Sequence, residues 1–188
     1  LILAQYINFG VILLACSYVV LVLVGGHDYR KYGRLRWYTI FLQLLVFCGW
    51  GGFPYIYGPV DWPTVHVVTA CRIVGNVLLY GGLVLMFASM GWLGLLKTFG
   101  QDQNRLRTTG LYAISRNPQC IGCISYAIGF AILWPSWYAL GWVLILLILL
   151  HFMIIPEEKH LANTYGEDYV EYKRRVPRFL GIPRRTDS

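Results

Sequence analysis

Charge is what this sequence has least of. Only 13% of its 188 residues are Asp, Glu, Lys or Arg, against 57% hydrophobic ones, and mean hydropathy is +0.54. A soluble domain of this length could not bury so much apolar surface. A metal or redox framework also lacks its usual signs. The five cysteines are an odd number, all in apolar segments, and the one C-x-x-C, Cys120 and Cys123, has no second pair and no histidine cluster beside it. Small buried packing residues are the reading that fits, and no metal is expected. No basic helix offers a base-reading face, so nucleic acid is excluded as a partner. No internal repeat or low-complexity tract appears. The chain opens inside an apolar run without a basic n-region or a small-residue cleavage site, so that run reads as a span and not as a signal peptide.

What is present is a series of long apolar runs. They cover 1–24, 37–57, 64–96, 119–134 and 137–155. The fold class expected is all-α: an integral membrane domain over 1–188 with five transmembrane helices and a cytosolic C-terminal amphipathic helix. Three helices would fill 1–96, and 97–188 would hold the functional region. Gly25-Gly26 is the expected stop of the first helix. "YGPVDWP" (57–63) reads as a turn and 97–118 as a polar loop. The third run, 33 residues, would be ~50 Å long as a helix, more than a ~30 Å hydrocarbon core, so it tilts or projects. Pro135-Ser136 makes a tight joint, so 119–155 is expected to be a helical hairpin.

The bases are one-sided. Loop 27–36 holds four, 97–118 four and the tail seven, which is 15 of the 16 Lys and Arg. With five spans all three segments share a side. The positive-inside rule then places the N-terminus outside and the C-terminus and functional rim in the cytosol, against anionic headgroups. The exception is Arg72, in the third helix with Asn76 a turn later; it either faces a cavity or partner or, the reading preferred, snorkels to the nearby outer interface. Gly75, Gly82 and Ser89 recur every seven residues there, a seam for close helix approach.

The tail "PEEKHLANTYGEDYVEYKRRVPRFLGIPRR" (156–185) carries the polar chemistry. Pro156 is expected to start an amphipathic helix over 156–180, with Glu157 and Glu158 in its first turn. Leu161, Tyr165, Tyr169, Tyr172 and Val176 fall on one face. Gly166 in the middle marks a bend or a close approach. That face suits headgroups, and equally an aromatic-lined pocket. Before the fourth helix, "TTGLYAISRNPQ" sets Arg116 and Asn117 ahead of Pro118, whose helix start aims free N–H groups at the loop. The hairpin returns Glu157 and Glu158 to the same rim. Arginine, amide, paired carboxylates and tyrosines together suit S-adenosylmethionine: carboxylate and aromatic faces for its sulfonium, arginine for its carboxylate, stacking for its adenine. NADPH fits in part, and composition does not separate the two.

"TTGLYAISRNPQCIG" resembles the T-G-x-Y-x-x-x-R-H-P-x-Y-x-G stretch of isoprenylcysteine carboxyl methyltransferases and their prokaryotic relatives. "EEKHLANTYGEDYVEYKRRVPRF" resembles their E-E-x-x-L-x-x-x-[FY]-G-x-x-Y-x-x-Y-x-x-x-V-P. The likeness covers 108–180 and extends to the superfamily with phospholipid methyltransferases, small-thiol methyltransferases and the C-terminal halves of sterol reductases. It implies S-adenosylmethionine as cofactor, held by Gly110, Tyr112, Asn117, Pro118, Gly122, Glu157, Leu161, Tyr165 and Tyr169. It implies Arg116, Glu158 and Arg175 near the reacting groups, and a substrate tunnel opening sideways to lipid. The expected activity is methyl transfer to a lipophilic, membrane-embedded acceptor, an isoprenylcysteine-like carboxylate or a phospholipid amine. The alternatives are an NADPH-dependent lipid reductase and a non-catalytic lipid-binding protein. Asn117 stands where the family has histidine and Cys120 where it has tyrosine. Asn117 can hydrogen-bond but not titrate near neutrality.

Overall fold

The computed structural model describes residues 2–57, 67–94 and 106–181; the 57–63 turn beyond residue 57, the first part of the 97–118 loop and the last seven residues lie outside them. Among the described residues every regular element is helical. They are α1 (Ile2–Ser17), α2 (Gly25–Tyr32), α3 (Trp37–Tyr57), α4 (Thr69–Leu93), α5 (Pro118–Leu133), α6 (Trp137–Tyr165) and α7 (Glu167–Arg175). A π turn, Tyr18–Val24, joins α1 to α2 without a break, and a 3-10 turn, Gly110–Ala113, precedes α5. Among the described residues, three stretches are long and apolar enough to cross a membrane: Leu3–Tyr32, Thr69–Leu93 and Trp137–Tyr165. The other two expected spans are the 21-residue α3 and the shorter apolar α5, of 16 residues.

Three boundaries differ from expectation, each for a local reason. Gly25-Gly26 does not stop the first helix, which runs to Tyr32 and ends at Gly33 in the left-handed conformation, φ 67°. The two glycines serve packing: a Cβ on Gly26 would lie 3.6 Å from Pro156 Cβ, and one on Gly25 3.5 Å from the Gln43 side chain. Pro156 does not start a helix. It sits inside α6, buried against that flat glycine surface, and α6 continues to Tyr165. The break comes at Gly166, φ 54°, which leaves α7 as a nine-residue helix. Finally, α4 covers 25 residues, which is ~37 Å, shorter than the 64–96 run.

The main core lies between α1, α3, α5 and α6, around Leu21, Phe53, Leu146, Leu149 and Ile154. Trp50 and Trp142 stack at 4.3 Å with planes 2° apart. Each indole N–H donates to the other's backbone carbonyl, at 3.0 and 2.8 Å. The tightest helix pair is α4 with α5. Gly75 and Gly82 on α4 face Gly129 and Gly122 on α5; a Cβ on Gly122 would fall 2.5 Å from Met86 N, and one on Gly82 2.5 Å from Tyr126 N. Ser89 is fully buried on the same line, so the seven-residue spacing is a helix-packing seam. Arg72 is exposed near the start of α4, and Asn76 Nδ2 donates to its carbonyl at 2.8 Å. By contrast, α3 and α4 make almost no contact among the described residues.

Candidate functional site

The polar end of the bundle is built by two segments far apart in sequence. Arg116 N donates to Pro177 O at 2.9 Å, and its Nε donates to Val176 O at 3.1 Å. Asn117 Nδ2 donates to Arg178 O at 3.1 Å while its backbone N–H donates to Ser115 Oγ, also at 3.1 Å. The chain after α7 is thereby strapped across the start of α5. Asn117 is the N-cap residue of α5 and Pro118 its first residue, both buried, as a helix start with a missing N–H permits.

Glu158 is the centre of this strap. Arg116 Nη1 donates to its Oε1 at 2.6 Å, and Nη1 also reaches Tyr169 Oη at 3.3 Å. Arg178 donates to the same carboxylate, Nε to Oε1 at 3.0 Å and Nη2 to Oε2. Side chains 116 and 158 are only 8% and 12% exposed, so this is a buried ion pair extended by a half-exposed arginine. The hydrogen bond to Glu158 holds the Arg178 guanidinium above its ordinary range. Arg175, expected beside the reacting groups, is half-buried on the last turn of α7 and stands outside this cluster. The second guanidinium on Glu158 is that of Arg178. The sequence signalled it only through Pro177, which turns the chain back after the helix.

The tyrosine face is assembled despite the break at Gly166. Tyr169, Tyr172 and Val176 form a small core, with Leu161, Tyr165 and Leu106 packed against it. Tyr172 Oη donates to Tyr112 O at 2.7 Å, and Tyr112 Oη donates to Gln119 Oε1 at 3.0 Å. Burial pushes the phenols of Tyr112, Tyr169 and Tyr172 above their usual range; at Tyr169, Glu158 adds to this and Arg116 opposes it. Gly110 has φ 65° and its α-carbon lies against the Trp92 ring, 2.5 Å from where a Cβ would be. Gly122 lies in the seam with α4.

Glu157 points the other way. It lines a cavity of about 540 Å³ bounded by α2, α3, α4, α5 and α6, whose wall carries Gln43, Gln119, Cys120 and Tyr29 among mainly apolar side chains. Among the described residues it has no hydrogen-bond or ion-pair partner. Leu44 and Phe87, 45% and 63% exposed, flank the opening between α3 and α4. Tyr29 is set by its neighbour Asp28, a fully buried carboxylate that accepts from Arg36 N at 3.0 Å, Tyr38 Oη at 3.3 Å and Thr39 Oγ1 at 2.5 Å, fixing the α2–α3 corner. Tyr29, Gln119 and Asp28 carried no motif by which sequence reasoning could single them out. Cys120 is buried on the cavity wall, and Cys123 Sγ lies 3.3 Å from Met86 Sδ. No group of three or more His, Cys, Asp or Glu able to hold a metal occurs among the described residues.

These features define a class: a membrane-associated helical bundle with a strapped polar end and a side-opening cavity whose carboxylate, Glu157, is unpaired among the described residues. Residues 70–168, just over half of the chain, match the family model for phospholipid methyltransferases, and the chain belongs to that family. It is similar to the protein-S-isoprenylcysteine O-methyltransferase of Homo sapiens, 28% identical over 130 residues, which are 66% of this chain and 45% of that protein. It is similar also to the Saccharomyces cerevisiae enzyme of that name, 31% identical over 121 residues, 60% of this chain and 49% of the relative. The Arabidopsis thaliana protein-S-isoprenylcysteine O-methyltransferase B is 28% identical over 112 residues, 59% of this chain and 55% of its own. The matched stretch thus spans about half the length of these relatives. No solved structure matches the chain.

Proposed function

We propose that this protein transfers a methyl group from S-adenosylmethionine to a lipophilic acceptor, with donor and acceptor meeting beside Glu157. The observation that carries the reading is the unpartnered Glu157 carboxylate on the wall of the α3–α4 cavity. A carboxylate facing an apolar cavity strongly favours a cation there. A sulfonium supplies one, whereas the phosphates of NADPH would be repelled. The family relatives named as methyltransferases point the same way.

S-adenosylmethionine, when bound, supplies an electrophilic methyl carbon, and no protein nucleophile is required. The residues of this chain then bind and orient. Glu157 balances the sulfonium, and Gln119, held by Tyr112, offers an amide beside it. The apolar wall takes the acceptor's hydrocarbon part and keeps water from the reacting atoms. Arg116 and Glu158 act here as positioning residues, because both oxygens of Glu158 already accept from guanidinium groups. Asn117, in the place of the family histidine, ties the strap instead of moving a proton. We place the polar end in the cytosol with five crossings, α3 and α5 included, a reading supported by the one-sided bases. The acceptor class proposed is an amphipathic molecule with one hydrocarbon chain, such as the isoprenylcysteine named for the relatives.

The test is titration calorimetry of detergent-solubilised protein with S-adenosylmethionine and, separately, S-adenosylhomocysteine, which lacks the sulfonium charge. Wild type is expected to bind both and to prefer the cation; Glu157→Gln is expected to lose the preference. A folded wild type that binds neither overturns the methyltransferase reading.

A further inference from the structure

The cavity has an unusual end. Along α3 its lining runs from Ile40, beside the Thr39 that binds Asp28 next to Tyr29, down to Trp50. Ten residues of helix make that depth ~15 Å, about half a ~30 Å hydrocarbon core. At the bottom, Trp50 is 7% exposed and lies flat on Trp142, which is 2% exposed. Phe130 and Tyr126 pack against Trp142 from α5, at 5.1 and 6.1 Å between ring centroids. Two reciprocal indole-to-carbonyl hydrogen bonds pin the pair to two different helices, α3 and α6.

That construction is stiff where the side walls are soft. A leucine floor could change rotamer and admit a longer guest. A tryptophan that swings away here must break its stack and abandon its own buried indole-to-carbonyl hydrogen bond, leaving an unsatisfied N–H and carbonyl in an apolar interior. The walls above it carry Met86, Met90 and Met153, flexible and polarizable side chains that mould to a chain of any shape. Width is therefore adaptable and length is not.

We propose that the Trp50–Trp142 pair is a length gauge: it closes the cavity and sets the longest single hydrocarbon chain that the site accepts. The inference rests on the reading of the cavity as the acceptor site. The guest enters through the α3–α4 opening, its polar head stays near Glu157 and Gln119, and its terminal methyl group meets the Trp50 ring. A chain too long for the cavity leaves its head displaced from Glu157 and cannot align for transfer.

The test uses native mass spectrometry of detergent-released protein equilibrated with an equimolar series of straight-chain N-acetyl-S-alkylcysteine methyl esters, from octyl to eicosyl, whose uncharged heads meet no repulsion from Glu157. Wild type is expected to show a sharp fall in occupancy above one chain length. Trp50→Ala is expected to move that fall to longer chains, with roughly tenfold more occupancy by the first excluded homologues. Phe47→Trp, one turn above the floor on a partly exposed wall, fills the cavity and is expected to move the fall to shorter chains. This second variant keeps the tryptophan pair and decides the matter if Trp50→Ala does not fold. A wild type with no cut-off, or a cut-off unmoved in a folded variant, overturns the proposal. Because occupancy is read without methyl transfer, a shifting cut-off in a protein that binds no S-adenosylmethionine would leave the gauge standing and remove only the methyltransferase reading.

Discussion

Glu157 and Glu158 are adjacent in sequence and opposite in environment. Glu158 faces the strap and is gripped by Arg116 and Arg178. Glu157, about 100° further round the helix, faces the cavity and is gripped by nothing among the described residues. The same functional group is spent once on holding the polar end together and once on waiting for a ligand. Paired carboxylates in a sequence need not act as a pair, because a helix turns neighbours away from each other.

The contrast can be broken by mutation. Glu158→Gln is expected to have the largest effect, a loss of about 3 kcal/mol of stability, since Arg116 is left buried and uncompensated while half-exposed Arg178 loses less. Thermal unfolding in detergent measures it. Glu157→Gln is expected to leave the unfolding temperature unchanged or slightly raised and to weaken S-adenosylmethionine binding roughly tenfold, about 1.4 kcal/mol, by calorimetry. Equal stability losses in the two variants would erase the distinction. Arg178→Met sharpens it: at 38% side-chain exposure the arginine is partly screened, and the expected cost is about 1 kcal/mol. The smallest effect concerns pH. Tyr112, Tyr169 and Tyr172 have raised folded-state pKa values, so their contribution is complete below the unfolded value of about 10 and is lost as pH rises from there toward the folded values. Circular dichroism across that range should show the strap end loosening while α4 and α5, joined by glycines, hold.

Much of this was legible in the residues because it is written in periodicity. The small-residue spacing on α4 predicted the close approach of another helix, which proves to be α5, and Gly166 marked the bend. The tyrosine positions predicted one face, and they do share a core, even though the helix beneath them breaks. The errors arose where a residue has two uses. Glycine stops helices, but Gly25 and Gly26 are there for the contact with α3 and Pro156. Proline starts helices, but Pro156 lies inside one. Arg178 and the cavity were not legible, since each depends on how segments distant in the chain meet, and no local pattern records that.

The π turn at Tyr18–Val24 has a consequence for phasing. Leu13, Ser17, Leu21 and Gly25 are all buried, each four residues after the last. In a regular α-helix every such step overshoots by ~40°, so the buried line would wind away from the bundle. The wider π turn falls short instead and cancels the drift. It works as a vernier between the two halves of one long helix, and its setting is what brings Gly26 onto Pro156 and Tyr29 round to the cavity. Removing a single residue from that turn would rotate α2 by ~100° and take Tyr29 off the cavity and Gly26 off Pro156 in one step.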